Sequence, residues 1–321
     1  PGTYDCADLT IESGGFSTML QIRDGVELDV SGDFSDAYGL VNVEGKLDVV
    51  GSAVFSKGVT ILGAGEIEVD GAATVSGYTL TIGDGTFDAN GSFDASSAII
   101  DMNDGNLTLA STVSLGVLDE FQGTVTYDGG TSFASDTYYN LVISSGNEHT
   151  ASSNVTINND LTISSGTYRP LSHTTTVSGN TDIDGTLYVT NGIFNADGNF
   201  DATAGTIDFT STGVLRLSST VTSLGTLDQT KGTVEYDGST QNVIADTYCN
   251  LIIDQPGTKT AQGTITVSNN LTVAGSATYS IAGTTTSISG ISDINGDLSI
   301  GVGTFNADGE FDATKPITFT G

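Results

Sequence analysis

Apolar and polar residues alternate in short runs along this chain, and the runs return at a near-constant interval. An aliphatic or aromatic residue recurs at Leu9, Leu28, Leu47, Ile67, Phe87 and Leu107, in steps of 19, 19, 20, 20 and 20. Two places on stands a second apolar or small residue (Ile11, Val30, Val49, Val69, Ala89, Leu109), and in the middle coils a glycine follows it at Gly32, Gly51, Gly71 and Gly91. A short strand, a corner and a return to the same strand one coil later is the signature of a solenoid. Within one coil the residues group into three strands: Leu80 and Ile82, then Phe87 and Ala89, then Phe93, separated by Gly83-Asp84-Gly85 and Asn90-Gly91. The pattern predicts an all-β chain folded as a three-sided β-solenoid of about 20 residues per coil, a parallel β-helix whose alternate residues point inward and stack coil on coil. The general preference for right-handed parallel crossovers makes the expected hand right. No stretch carries a 3.6-residue apolar period, and no apolar run approaches the roughly 18 residues of a membrane span.

A second period of about 110 residues lies above the first. Gly85-Thr-Phe-Asp-Ala-Asn-Gly-Ser-Phe-Asp94 recurs from Gly192 to Asp201 and from Gly303 to Asp312, at offsets of 107 and 111. Gly123–Gly129 returns as Gly232–Gly238, and Asp136–Ile143 as Asp246–Ile253. Residues 1–321 therefore read as a single β-helix, with regular coils over 1–122, a first long unit over 123–231 and a second, incomplete one over 232–321. Cys249 takes the place of Tyr139, which argues against a catalytic thiol.

These long-unit motifs resemble the β-strand repeats of large bacterial secreted and surface proteins, adhesin-like chains in which a GTVxYxG strand is followed by YNLxI and NLTIxxG strands. The matching residues are Gly123–Gly129, Tyr139–Ile143 and Asp160–Gly166, then Gly232–Gly238, Tyr248–Ile253 and Asn270–Gly275. Such chains often carry Trp where this one has Phe93, Phe200 and Phe311. The resemblance implies a right-handed parallel β-helix displayed outside the cell, for the most part without chemistry.

Charge narrows the classes further. With 39 acidic and 8 basic residues the net charge is −31, which opposes binding to nucleic acid or to an anionic membrane surface and favours cations. An acidic chain with only Cys6 and Cys249, 243 positions apart, suits a secreted protein without an internal disulfide. An intermolecular bond through Cys6 is the alternative.

One outward position carries candidate chemistry. Between the paired core residues the register places Thr10, Asp29, Asp48, Glu68, Asp88 and Thr108 in one column, so that Asp29, Asp48, Glu68 and Asp88 form an acidic ladder. Hard carboxylate oxygens in a row suit Ca²⁺, although no cofactor is required by this reading. Elsewhere Gly83–Asp88 lacks the tandem copies of a calcium-binding nonapeptide repeat. His149 and His173 read as surface-loop residues. A carbohydrate-active β-helix, lyase or hydrolase, is the alternative function; it needs converging carboxylates beside a base, and the few basic residues are scattered.

The chain starts at Pro1 without a Met or a leader, as a processed protein or a fragment would, and stops at Gly321 partway through a long unit. Open strand edges at such ends are expected to recruit another copy head to tail. The sequence thus points to a non-enzymatic, extracellular structural protein: a stiff acidic rod of about 16 coils, roughly 75 Å long at ~4.8 Å per coil. Its expected partners are itself or neighbouring cell-surface components, with no nucleic acid and no membrane insertion.

Overall fold

The structure is a computed structural model, and it describes residues 2–12, 18–131 and 133–319. Pro1 and Gly321, on which the expectations about the ends rest, lie outside the described residues. The described residues form strands and turns with no helix: a β-solenoid of about 16 turns of about 20 residues, in which the paired strands run parallel. They group into two compact units, Pro1–Thr150 and Ala151–Gly321.

Each of the first six turns of the first unit contributes one strand to each of three sheets. The first face takes Gly2–Cys6, Val26–Val30, Lys46–Val49, Glu66–Val69, Thr86–Ala89 and Asn106–Leu109 in its lower six turns; the second takes Leu9–Ile11, Phe34–Asp36, Ala53–Phe55, Ala73–Val75, Phe93–Asp94 and Val113–Ser114. Thr18–Ile22, Gly39–Val43, Val59–Ile61, Thr79–Ile82, Ile99–Asp101 and Val117–Leu118 make the third. On the first face Leu28, Leu47, Ile67, Phe87 and Leu107 pair in sequence, as the short period predicts.

Leu9 does not belong to that column. It pairs with Phe34 on the second face, Thr10 pairs with Ser35, and the residue below Leu28 is Tyr4. The difference has a physical origin: every side of the coil shows the same apolar alternation, so spacing alone does not say which side a strand occupies. Strand pairing decides it.

The inward columns are closed by large side chains. Phe34, Phe55, Phe87 and Phe93 are fully buried and form a chain of tilted and edge-on ring contacts at 5.2, 5.9 and 5.5 Å. Full burial of one such side chain contributes about 1.5–3 kcal/mol. Corners need the opposite, a lack of bulk. Gly32, Gly51, Gly71 and Gly91 stack at one corner, where a Cβ on Gly71 would lie 2.4 Å from the Gly51 carbonyl oxygen and one on Gly91 would lie 1.9 Å from that of Gly71.

The second unit is also three-stranded per turn, and its long sequence repeat is not a whole number of turns. Ile193–Ala196 pairs with Thr174–Val177 and Val214–Leu217, and its sequence copy Thr304–Ala307 falls in a different sheet, paired with Thr285–Ile288. The second copy lies seventeen strands after the first, five turns and two further sides. The same motif therefore faces a different direction when it recurs.

Candidate functional site

The first face of the first unit presents two outward columns. Alternation turns Leu28, Leu47, Ile67 and Phe87 inward and leaves the residues on either side of them facing out. The column before the core position reads Thr3, Glu27, Lys46, Glu66, Thr86; the one after it reads Asp5, Asp29, Asp48, Glu68, Asp88, Thr108. Strand pairing thus brings Asp29, Asp48, Glu68 and Asp88 together as the sequence indicates, and it corrects the lower end: Asp5, not Thr10, precedes Asp29. The short period does not reveal Asp5, because its step to Asp29 is longer than the steps above it.

The ladder divides into two parts. Lys46 sends its Nζ to Glu68 Oε2 at 2.6 Å and to Glu66 Oε1 at 3.3 Å, and Asn90 Nδ2 donates to Glu68 Oε1 at 3.2 Å and Asp70 Oδ1 at 3.0 Å. The bond to Glu68, opposed by burial and reinforced by Glu66, pushes the Lys46 pKa up. Below this pair, Glu27, Asp29 and Asp48 bring carboxylate oxygens within 4.8 Å of one another, and Asp29 Oδ1 is buried without a hydrogen-bond partner. Burial first, then the charges of Glu27, Asp5 and Asp48, hold the Asp29 pKa above the usual carboxylate range. Asp48 is raised by burial and by Glu68, Asp70 and Glu27 against the pull of Lys46.

Asp88, at the top, is the most perturbed carboxylate. Burial, then Asp128, Glu68 and Glu66, push it up to about 6, and its Oδ1 is also buried and unpartnered. Crowded carboxylates whose pKa values are raised gain from taking up a proton or a cation. An open cleft of about 550 Å³ at the adjoining corner is lined by Asp24, Glu27, Glu44, Lys46 and Glu66, which extends the acidic surface.

No protein-family model, curated protein or solved structure matches this chain. The adhesin-like likeness therefore rests on the short strand motifs alone. Those motifs do form strands: Thr124–Tyr127, Asn140–Ile143 and Leu161–Ile163, then Thr233–Tyr236, Asn250–Ile253 and Leu271–Val273.

Inside the coils lies chemistry that sequence reasoning missed. Tyr127 Oη accepts a hydrogen bond from the Ala134 amide at 3.2 Å, Tyr138 Oη donates to the Ala134 carbonyl, and the two phenols meet at 3.0 Å. The second unit builds the same closed triangle from Tyr236, Ile244 and Tyr248, at 3.3, 2.6 and 3.1 Å. Burial pushes the phenols of Tyr127 and Tyr236 up to about 12, so they stay protonated as hydrogen-bond donors. Tyr168 with Thr175 and Tyr279 with Thr286 repeat a second buried pair, at 2.7 and 2.8 Å.

His149 is not a surface-loop residue. It is fully buried, its Nε2 lies 2.6 Å from Ser145 Oγ, and its ring packs on Tyr127 and Phe133. Its place in the second repeat holds Lys259, also fully buried, whose Nζ donates to the Gln255 carbonyl at 2.6 Å. Burial depresses the Lys259 pKa, against the charges of Asp254 and Asp237. Alignment of the two long units would have revealed the matched bases, because Glu148-His149-Thr150-Ala151 and Thr258-Lys259-Thr260-Ala261 align without a gap. Cys6 and Cys249 are half-buried free thiols, and burial raises the pKa of Cys249.

Proposed function

We propose that this chain is an extracellular structural protein, an acidic β-solenoid scaffold for surface display, adhesion or assembly. One observation carries the reading: the unusual buried chemistry occurs twice. Tyrosine triangles, tyrosine–threonine pairs and an inward base each recur one long unit apart, as architecture does and as a single active site does not. The high net negative charge and the resemblance to surface-protein repeats support an extracellular place.

The carbohydrate-enzyme alternative gains little from the geometry. A lyase base must release its proton near neutral pH, whereas Glu68 and Glu66 hold Lys46 in its ammonium form. Glu27, Asp29 and Asp48 stand side by side on one sheet rather than across a cleft. Turnover of uronic-acid polysaccharides or neutral glucans by the purified chain would reverse this reading. An inert chain that small-angle scattering finds elongated would support it.

The carboxylate cluster favours a second property of the same scaffold, Ca²⁺ uptake at Glu27, Asp29 and Asp48, where three oxygen ligands converge. Glu68 is left out because Lys46 and Asn90 already occupy its oxygens. Calorimetric titration with CaCl₂ tests it: the heat of binding should disappear in Asp29→Asn, and a wild-type chain without measurable heat would remove Ca²⁺ from the account.

A further inference from the structure

Seven of the eleven exposed large apolar side chains described in the first unit lie along one edge, while Tyr4, Val50, Leu62 and Phe121 lie elsewhere. Met19, Leu40, Ile99 and Val117 project from the third face, Val54 from the second, and Tyr38 and Tyr78 stand at the corner between these faces; all seven are 37–67% exposed. Strand register aligns them: Met19 pairs with Leu40, and Thr79 pairs with Ile99. The next outward column carries Gln21, Asn42, Thr60 and Thr81 through the first four turns, and the first charges on this face are Asp101 and Asp119 above them. Lys57 is the cation at the corner, with its Nζ 2.8 Å from Tyr78 Oη.

In a three-sided turn the corner between the second and third faces lies opposite the first face. The apolar edge is thus as far as the coil allows from Asp29, Asp48, Glu68 and Asp88. We propose that this edge pairs with the same edge of a second copy of the chain. The charge distribution selects that occupant. Two chains of net charge −31 repel wherever their acidic faces meet, and contact through this edge sets those faces roughly 30 Å apart, several Debye lengths at physiological salt. A basic partner would be drawn to the acidic first face instead, since this edge sets Lys57 near a single exposed carboxylate, Asp94, in the outward column of Val54. Exposed apolar side chains clustered along one edge mark an interaction site, here with Gly58 and Thr79 between the Met19–Leu40 and Ile99–Val117 pairs.

The charges at the top of the third face also set the orientation. A parallel pairing lays Asp101 and Asp119 against their own copies. An antiparallel, two-fold pairing lays them against the uncharged Met19, Gln21, Leu40 and Asn42 end of the partner, and it closes as an isologous dimer. The edge is about 24 Å tall, five strand spacings, and two or three residues wide, less than the ~800 Å² per partner of a standard interface. The association is therefore weak and reversible.

The inference deepens the assembly part of the scaffold reading, and sedimentation velocity on the intact chain tests it at 20 mM and 500 mM NaCl. A monomer–dimer equilibrium that tightens several-fold at the higher salt is expected, because screening removes the remaining repulsion. Leu40→Lys with Ile99→Lys should weaken it at least tenfold while the circular dichroism spectrum stays unchanged. Thr79→Lys, at an outward polar position on the same edge, repeats the test without removing an apolar group. A monomer at every concentration and salt, dimers that survive both variants, or dimers that loosen as salt rises would each overturn the proposal. A monomeric chain that is elongated and inert toward polysaccharides overturns the pairing alone and leaves the scaffold reading standing.

Discussion

Asp88 shows how a residue acquires its properties from a column it shares with residues one turn away. Nothing in its local sequence distinguishes it from other Asp residues of the chain, yet burial and its neighbours on the first face raise its pKa to about 6. A carboxylate raised in the folded state favours folding when protonated; that stability is fully present below the unfolded pKa and is lost as pH rises through about 6. Urea denaturation should therefore show stability declining between pH 4 and pH 6 from this group. Asp88→Asn should flatten that decline and stabilise the chain at pH 7 by about 1 kcal/mol, the figure left after discounting the shift for solvent screening. Tyr236 is the opposite case, a buried polar group fully satisfied by its partners. Tyr236→Phe strands the Ile244 amide and costs about 1–3 kcal/mol in the same assay. Lys46→Met should raise the pKa values of Asp48 and Asp88 further, since its charge lowers both. Carboxyl ¹³C titration by NMR would detect this as midpoints displaced to higher pH.

At the scale of single elements, most of the fold is legible in the chain. Strand, corner and return can be read from Leu28, Leu47, Ile67, Phe87 and Leu107 because inward residues must be apolar and corners must be small. The glycine corner is the sharpest instance. Gly71→Ala places a methyl group 2.4 Å from the Gly51 carbonyl, so we expect a backbone shift and a loss of stability of more than about 2 kcal/mol, seen as a lower urea midpoint. Phe87→Ala removes a ring from the buried aromatic chain and should cost about 3–5 kcal/mol. What was not legible is which side of the coil a strand joins when the loop before it changes length. Leu9 has the right residue type and the right spacing for the first face, and it lies on the second because the first turn, from Tyr4 to Leu28, is longer than those that follow. The candidate site inherits that limit: Asp29, Asp48, Glu68 and Asp88 were readable by period, whereas Asp5 and the role of Glu27 depended on pairing.

For the whole molecule, charge and repetition set the behaviour. Self-repulsion from a net charge of −31 opposes compactness, and salt screens it. Thermal unfolding should consequently move to higher temperature between 20 mM and 500 mM NaCl, and a midpoint that falls would show that ion pairs such as Lys46–Glu68 dominate instead. Repetition also separates surface from core. The long unit returns after five turns and two sides within the second unit, so its inward residues stack again while its outward residues turn to a new direction. A duplicated block therefore preserves the core without extending any one surface; the acidic run from Asp29 to Asp88 ends with the short-period coils, and its column continues through Thr108, Thr126 and Val142.

By itself the sequence determined the all-β solenoid, the length of its turn and the stacking of Asp29, Asp48, Glu68 and Asp88, because these depend on alternation and period, which are local properties. Only the tertiary structure decided which strands share a side, where Lys46 divides the ladder, which tyrosines close on each other and that His149 and Lys259 face inward. Each of these depends on contact between residues far apart in the chain, and a chain in which every side carries the same pattern does not encode that contact in its periodicity.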